Sequence, residues 1–269
     1  MRTKTKAVSL AVAAAMTFAA APASAAFVNT WDYTVSLEWI IAGPDAPTFT
    51  SGTGFQEVTS ERLSWGSASG SVDPSVNTNR SGLQIIDSPA NGAINTGDSV
   101  TTVGITHFNS EISANFATLN TATLLTNLIL TPLDPPVTGG ASLPPLSLQF
   151  ATTFTETPNV ANCGFPVVNN CDDIFIVNFE ALQQTFTLEG VTYNTSVVAD
   201  GLGFLDDATC AAAGEGPGCF GLTTPEFEFT TVNFGFGIEA VQVPNPAMLV
   251  LFGTGLLALG AVARRRNKV

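Results

Sequence analysis

Basic residues are almost missing from the middle of this chain. Of nine Lys and Arg, only Arg62 and Arg80 lie between residues 7 and 263, and no Lys occurs there. All 22 Asp and Glu fall between Asp32 and Glu239, so this part sets two positive charges against 22 negative, a net −20. Nucleic acid is excluded as a partner, because phosphate neutralisation requires Lys and Arg. Two cations allow few salt bridges, so burial and covalent links must hold the fold. Histidine occurs once, at His107, and there is no Cys-x-x-Cys, which argues against zinc. The Gly-x-Ser-x-Gly turn of serine hydrolases is absent too. Heptads, internal repeats and EF-hand spacing are likewise lacking, and an acidic surface suits solubility in a matrix, cation binding, or both.

Both termini read as targeting segments. Arg2, Lys4 and Lys6 form a basic start, Ala7 to Ala21 is apolar and Ala-rich, and Ala23-Ser24-Ala25 offers small residues for signal peptidase. Residues 1–25 are therefore predicted to be a signal peptide, cleaved after Ala25. At the other end Val243-Pro244-Asn245-Pro246 leads into an apolar run, Ala247 to Ala263, that stops at Arg264-Arg265-Arg266. The prolines end the folded domain, the run partitions into lipid, and the arginines stay cytoplasmic. A transmembrane helix over 247–263 with a basic tail over 264–268 is expected. This layout resembles the PEP-CTERM sorting signal of Gram-negative bacteria that secrete exopolysaccharide, except that the usual Pro-Glu-Pro is Pro244-Asn245-Pro246. The resemblance implies inner-membrane anchoring and then processing by an exosortase, with Asn245 in place of the usual carboxylate.

Residues 26–242 have the length of one all-β domain. Tyr33, Val35, Leu37 and Trp39 alternate with polar residues, the period of a half-buried strand. The same period recurs over Leu146 to Phe154, Ile174 to Phe179, Phe186 to Leu188 and Val191 to Val198. Gly/Pro/Asn/Asp clusters separate these runs. Leu119 to Leu130 alternates as well and is assigned to a strand rather than a helix. Phe227 and Phe229 lie on one parity, and Val232, Phe234, Phe236 and Ile238 on the other. A β-bulge near Thr230-Thr231 would align both sets with one core. The expected fold is all-β: an antiparallel β-sandwich, jelly-roll-like or Greek key, followed by the single C-terminal transmembrane helix.

Four cysteines form two local pairs, Cys163/Cys171 and Cys210/Cys219. Three connectivities are open, and export to an oxidising compartment favours disulfides. Local pairing is predicted because each pair brackets a loop rich in turn residues. No cofactor is expected; a structural Ca²⁺ site is the one alternative. Asp172-Asp173 and Asp206-Asp207 are its candidates, since Ca²⁺ takes six to eight oxygens. Solvated loop carboxylates are the simpler reading of both pairs.

The lone histidine sits in Thr106-His107-Phe108-Asn109, a Thr-His-x-Asn pattern. With Arg62 to Gly66, Ser81-Gly82-Leu83 and Asn170 to Phe175, it resembles the THxN family of PEP-CTERM proteins. That resemblance implies an exported surface or matrix protein and no established reaction. In an extended strand His107 and Asn109 share one face and Thr106 the other. The pair either orients a ligand or serves a general base, or it satisfies neighbouring backbone groups.

Three functions are consistent with these features. The first is an exported, non-catalytic surface or matrix protein associated with exopolysaccharide. The second is a carbohydrate-binding module with Trp31, Trp39 or Trp65 as stacking candidates, Trp39 and Trp65 reading better as core. The third is a secreted hydrolase using His107.

Overall fold

The structure is a computed structural model that describes residues 27–136, 141–159, 163–167, 171–178 and 182–241. These residues belong to one compact unit, Ala26–Val243. The signal peptide, Val243 to Pro246, the 247–263 segment and Arg264 to Arg266 lie outside the described residues. Among the described residues no helix is long and apolar enough to cross a membrane.

The chain runs through β1 (Thr30–Trp39), β2 (Thr48–Phe49), β3 (Phe55–Val58), β4 (Arg62–Gly66) and β5 (Arg80–Ile86). It continues through β6 (Ala90–Asn95), β7 (Ser99–Phe108), β8 (Leu119–Asp134), β9 (Leu146–Thr155) and β10 (Asp173–Asn178). After β11 (Gln183–Leu188), β12 (Val191–Asp200) and β13 (Gly203–Phe204) come a short helix α1 (Asp207–Ala212), β14 (Phe220–Thr224) and β15 (Phe229–Val241). One sheet has the order β13-β14-β10-β9-β8-β1-β6, with β2 added on β8; the other runs β11-β12-β15-β7-β5-β4-β3. Every ladder between these strands is antiparallel. The expected all-β, two-sheet architecture is thus what the chain adopts.

Alternation places the core. On β1, Trp31, Tyr33, Val35, Leu37 and Trp39 are buried, each such side chain contributing about 1.5–3 kcal/mol on leaving water. From the opposite sheet Tyr193 and Phe186 meet Trp31 edge-on at 4.9 and 5.7 Å. The Trp31 indole N–H donates to Thr96 Oγ1 at 2.9 Å, so its polar end is satisfied. Leu119 to Leu130 is the first part of β8, a strand as expected.

Three local expectations fail. The bulge is not at Thr230-Thr231: the β15–β7 register shifts between Phe234 and Gly235, where the partner residue passes from Val103 to Thr101. Phe227 and Phe229 are 63% and 66% exposed. Phe229 faces the outer side of the sheet and Phe227 lies in the turn before β15 at φ 64°, so no realignment is needed. Ile174 to Val177 do not alternate but are buried throughout. β10 is covered on its second face: Thr153, cross-strand from Ile176, donates to Glu215 in the loop after α1. That helix, in a region expected to hold only strands and loops, is begun by Asp206, whose side chain accepts from the Ala208 and Thr209 amides.

Candidate functional site

His107 sits near the end of β7, paired with Leu83 of β5 on one side and Thr230 of β15 on the other. Its ring points between the sheets and is 1% exposed. Trp65 of β4 stacks on it at 6.5 Å with planes 17° apart, and Phe154 of β9 meets it edge-on at 5.0 Å. Aromatic walls and complete burial disfavour the imidazolium, and the pKa of His107 falls to about 3. The ring is neutral at any physiological pH.

Carboxyl groups close the other side. His107 Nε2 lies 3.8 Å from Asp173 Oδ2, beyond hydrogen-bonding range. Asp173 opens β10 and is fully buried; its Oδ1 accepts the Thr157 amide at 2.9 Å. Glu156 follows β9, and its Oε2 accepts the Trp65 indole N–H at 2.8 Å. Glu226 lies between β14 and β15 and is also buried. Burial pushes Glu156 up to about 8, against the Trp65 hydrogen bond and helped by Glu226. Burial and then the neighbouring Glu156 hold Asp173 well above the ordinary aspartate range. Glu226 rises to about 7 through burial, with Glu111 and Asp172 adding repulsion.

Neither arginine neutralises this cluster. Arg62 pairs with Glu57 at 2.7 Å and Asp73 at 3.3 Å. Arg80 is buried and donates to Ser67 O and Ser64 Oγ, with its guanidinium 5.6 Å from the Phe55 ring centroid.

The other motif residues divide. Asn109 is buried; its Nδ2 donates to Thr224 O at 2.8 Å, and its own amide donates to Glu228 O at 3.0 Å. It therefore ties β7 to the β14–β15 connection. Thr106 faces away from His107 and exchanges a hydroxyl hydrogen bond with Thr231 at 2.9 Å. Asp172 and Asp173 are buried rather than solvated, and only Asp173 approaches His107. Asp206 and Asp207 stand elsewhere, one capping α1 and the other in its first turn, so they drop out as cation ligands. As the side chains stand, no group of three His, Cys, Asp or Glu among the described residues is arranged to hold a metal ion.

Both local disulfides form: Cys163–Cys171, whose second cysteine immediately precedes Asp172-Asp173, and Cys210–Cys219, which closes the α1 loop. Sequence reasoning missed Glu156 and Glu226, single acidic residues beside strand ends with no motif around them. Their one visible signal is position, each next to a proline-containing turn after an alternating run. All three tryptophans are buried, which removes Trp31, Trp39 and Trp65 as surface platforms for a sugar.

Compared with known proteins, the chain matches no family model and no curated protein.

Proposed function

We propose that this chain is an exported, non-catalytic surface or matrix protein of the THxN PEP-CTERM type. In this reading signal peptidase cleaves after Ala25, residues 247–263 hold the precursor in the inner membrane of a Gram-negative bacterium, and an exosortase releases the domain to associate with exopolysaccharide. The observation that carries the reading is the pair of closed disulfides in an acidic body. Such bonds persist in oxidising compartments and are rare in the cytosol. The long-range pairings of β7 with β15 and of β1 with β6 and β8 support a Greek-key or jelly-roll-like connectivity for the sandwich.

The geometry around His107 favours this reading over a hydrolase. A base must reach the proton it takes, and this ring is sealed behind Trp65 and Phe154. Fractionation followed by mass spectrometry of the mature ends tests the proposal. The expected product begins at Ala26, is found with the membrane or outside the cell, and has lost the 247–263 segment after processing. A full-length chain dissolved in the cytosol with both ends intact refutes it.

A further inference from the structure

The outer face of the β7–β15 pair carries aromatic rings that the fold leaves in water. Phe229 is strongly exposed and stands cross-strand from Phe108, with ring centroids 6.1 Å apart. Phe227, equally exposed, is the third residue of a turn closed by the Glu228 amide, which donates to Pro225 O at 3.2 Å. Its φ of 64° is a left-handed value at a turn position where glycine or asparagine is usual and a bulky side chain is strained. Among the described residues the other two non-glycine positions of this kind, Asp87 and Glu189, are polar. Phe227 gains no burial that would offset its strain, and such strain at an exposed aromatic points to a contact outside the fold. Beside the Phe108–Phe229 row, the next row on this face is Gln84, Thr106 and Thr231, and beyond it lie Ile86, Gly104 and Asn233. Asn233 Oδ1 is 3.1 Å from the place a Gly104 Cβ would take, so its amide lies over the glycine on the outer face.

We propose that Phe227, Phe229 and Phe108, with Gln84, Thr231 and Asn233 beside them, form a binding surface for a neutral polysaccharide chain. This deepens the reading above and rests on it, since it takes the domain to work among exopolysaccharide outside the cell. A sugar ring has an apolar C–H face, which packs on an aromatic ring, and a rim of hydroxyls, which needs donors and acceptors. The two exposed rings supply the first, and the amides of Gln84 and Asn233 and the Thr231 hydroxyl supply the second. Glu228, exposed between Phe227 and Phe229, adds an acceptor for sugar hydroxyls. The occupant is uncharged because Arg62 and Arg80 are both engaged elsewhere. A polyuronic or sulfated chain would meet the domain's net −20 with no cation to receive it. A folded protein fits less well: two exposed rings of about 150–250 Å² each fall short of the roughly 800 Å² per partner that a stable interface buries. The phenylalanines thus take the role that the buried tryptophans do not.

The full chain, in mild detergent, is run in native gels containing dextran, xylan or galactomannan, and in gels containing alginate as the anionic counterpart. Retardation by at least one neutral polymer and none by alginate is expected. Phe227→Ala and Phe229→Ala should each weaken it about five- to tenfold, and both remove exposed side chains, so the variants should fold. Phe227→Gly should lose binding without lowering Tm, because glycine adopts φ 64° without strain. Phe204→Ala, which removes a still more exposed ring on β13 of the other sheet, should leave the retardation unchanged. Migration unaffected by every neutral polymer overturns the surface, and so does retardation that survives both Phe227→Ala and Phe229→Ala. Self-association that disappears in those variants, with no retardation, would assign the rings to a second copy of the chain and overturn it too. An unprocessed chain in the cytosol refutes export alone and leaves the gel result standing, so the two failures are separable.

Discussion

The indole N–H of Trp65 meets the Glu156 carboxylate at 2.8 Å across 91 residues of chain. This hydrogen bond joins the two sheets beside the only histidine. Its removal by Trp65→Phe keeps most of the packing against Phe154 but strands a buried carboxyl oxygen. The expected loss is about 1–3 kcal/mol in a urea titration. Combining it with Glu156→Gln should be less than additive, because the two changes act on one contact.

Stability should depend on pH with a defined sign. Glu156 at about 8, Glu226 at about 7 and the raised Asp173 keep their protons in the folded chain at pH values where the unfolded chain has released them. The unfolded groups titrate near 4, so these three contribute stability in acid that is lost as pH rises toward 8. His107 works in reverse: its folded value of about 3 lies below the unfolded value near 6.5, and it opposes the trend only below that point. Tm should therefore fall between pH 6.5 and 8, read by a thermal scan at constant ionic strength. A rise over that interval would contradict the buried-carboxyl assignment.

Gly235 lies where the β15–β7 register shifts, and a Cβ there would run into the Val100 carbonyl oxygen. Gly235→Ala forces the two central strands apart. A cost on the order of 1–3 kcal/mol is expected, visible as a lower denaturation midpoint. Gly216→Ala, whose Cβ would meet nothing, is the comparison.

Loss of the Cys210–Cys219 bridge should loosen the cover over β10. The paired Cys210→Ser and Cys219→Ser variant is expected to lose about 2–3 kcal/mol in the chain-entropy picture. Hydrogen exchange should speed up at Ile176 and Gly221, beneath the α1 loop, before it does on β1.

Much of the fold was legible because a strand's period shows which face a residue occupies. The alternation of Tyr33 to Trp39 and of Leu119 to Leu130 marks faces that do line the core, whereas the burial of Trp31, one residue pair earlier, was not read from it. The same period misled at Phe227 and Phe229, which turn outward, and at Ile174 to Val177, buried on both sides. Alternation reports two faces; it is blind to what lies over the second one. α1 escaped notice because a six-residue helix has too few turns to carry a periodic signal.

Amino-acid order alone determined the scarcity of cations, the strand periods and the local cysteine pairs, because these depend on composition and short spacings. Which strands became neighbours was decided only in three dimensions. Trp65, His107, Glu156, Asp173 and Glu226 come from widely separated parts of the chain, and no local pattern links them. Their meeting, and the burial that shifts four of their ionisations, follows from two sheets closing over one end of a common core.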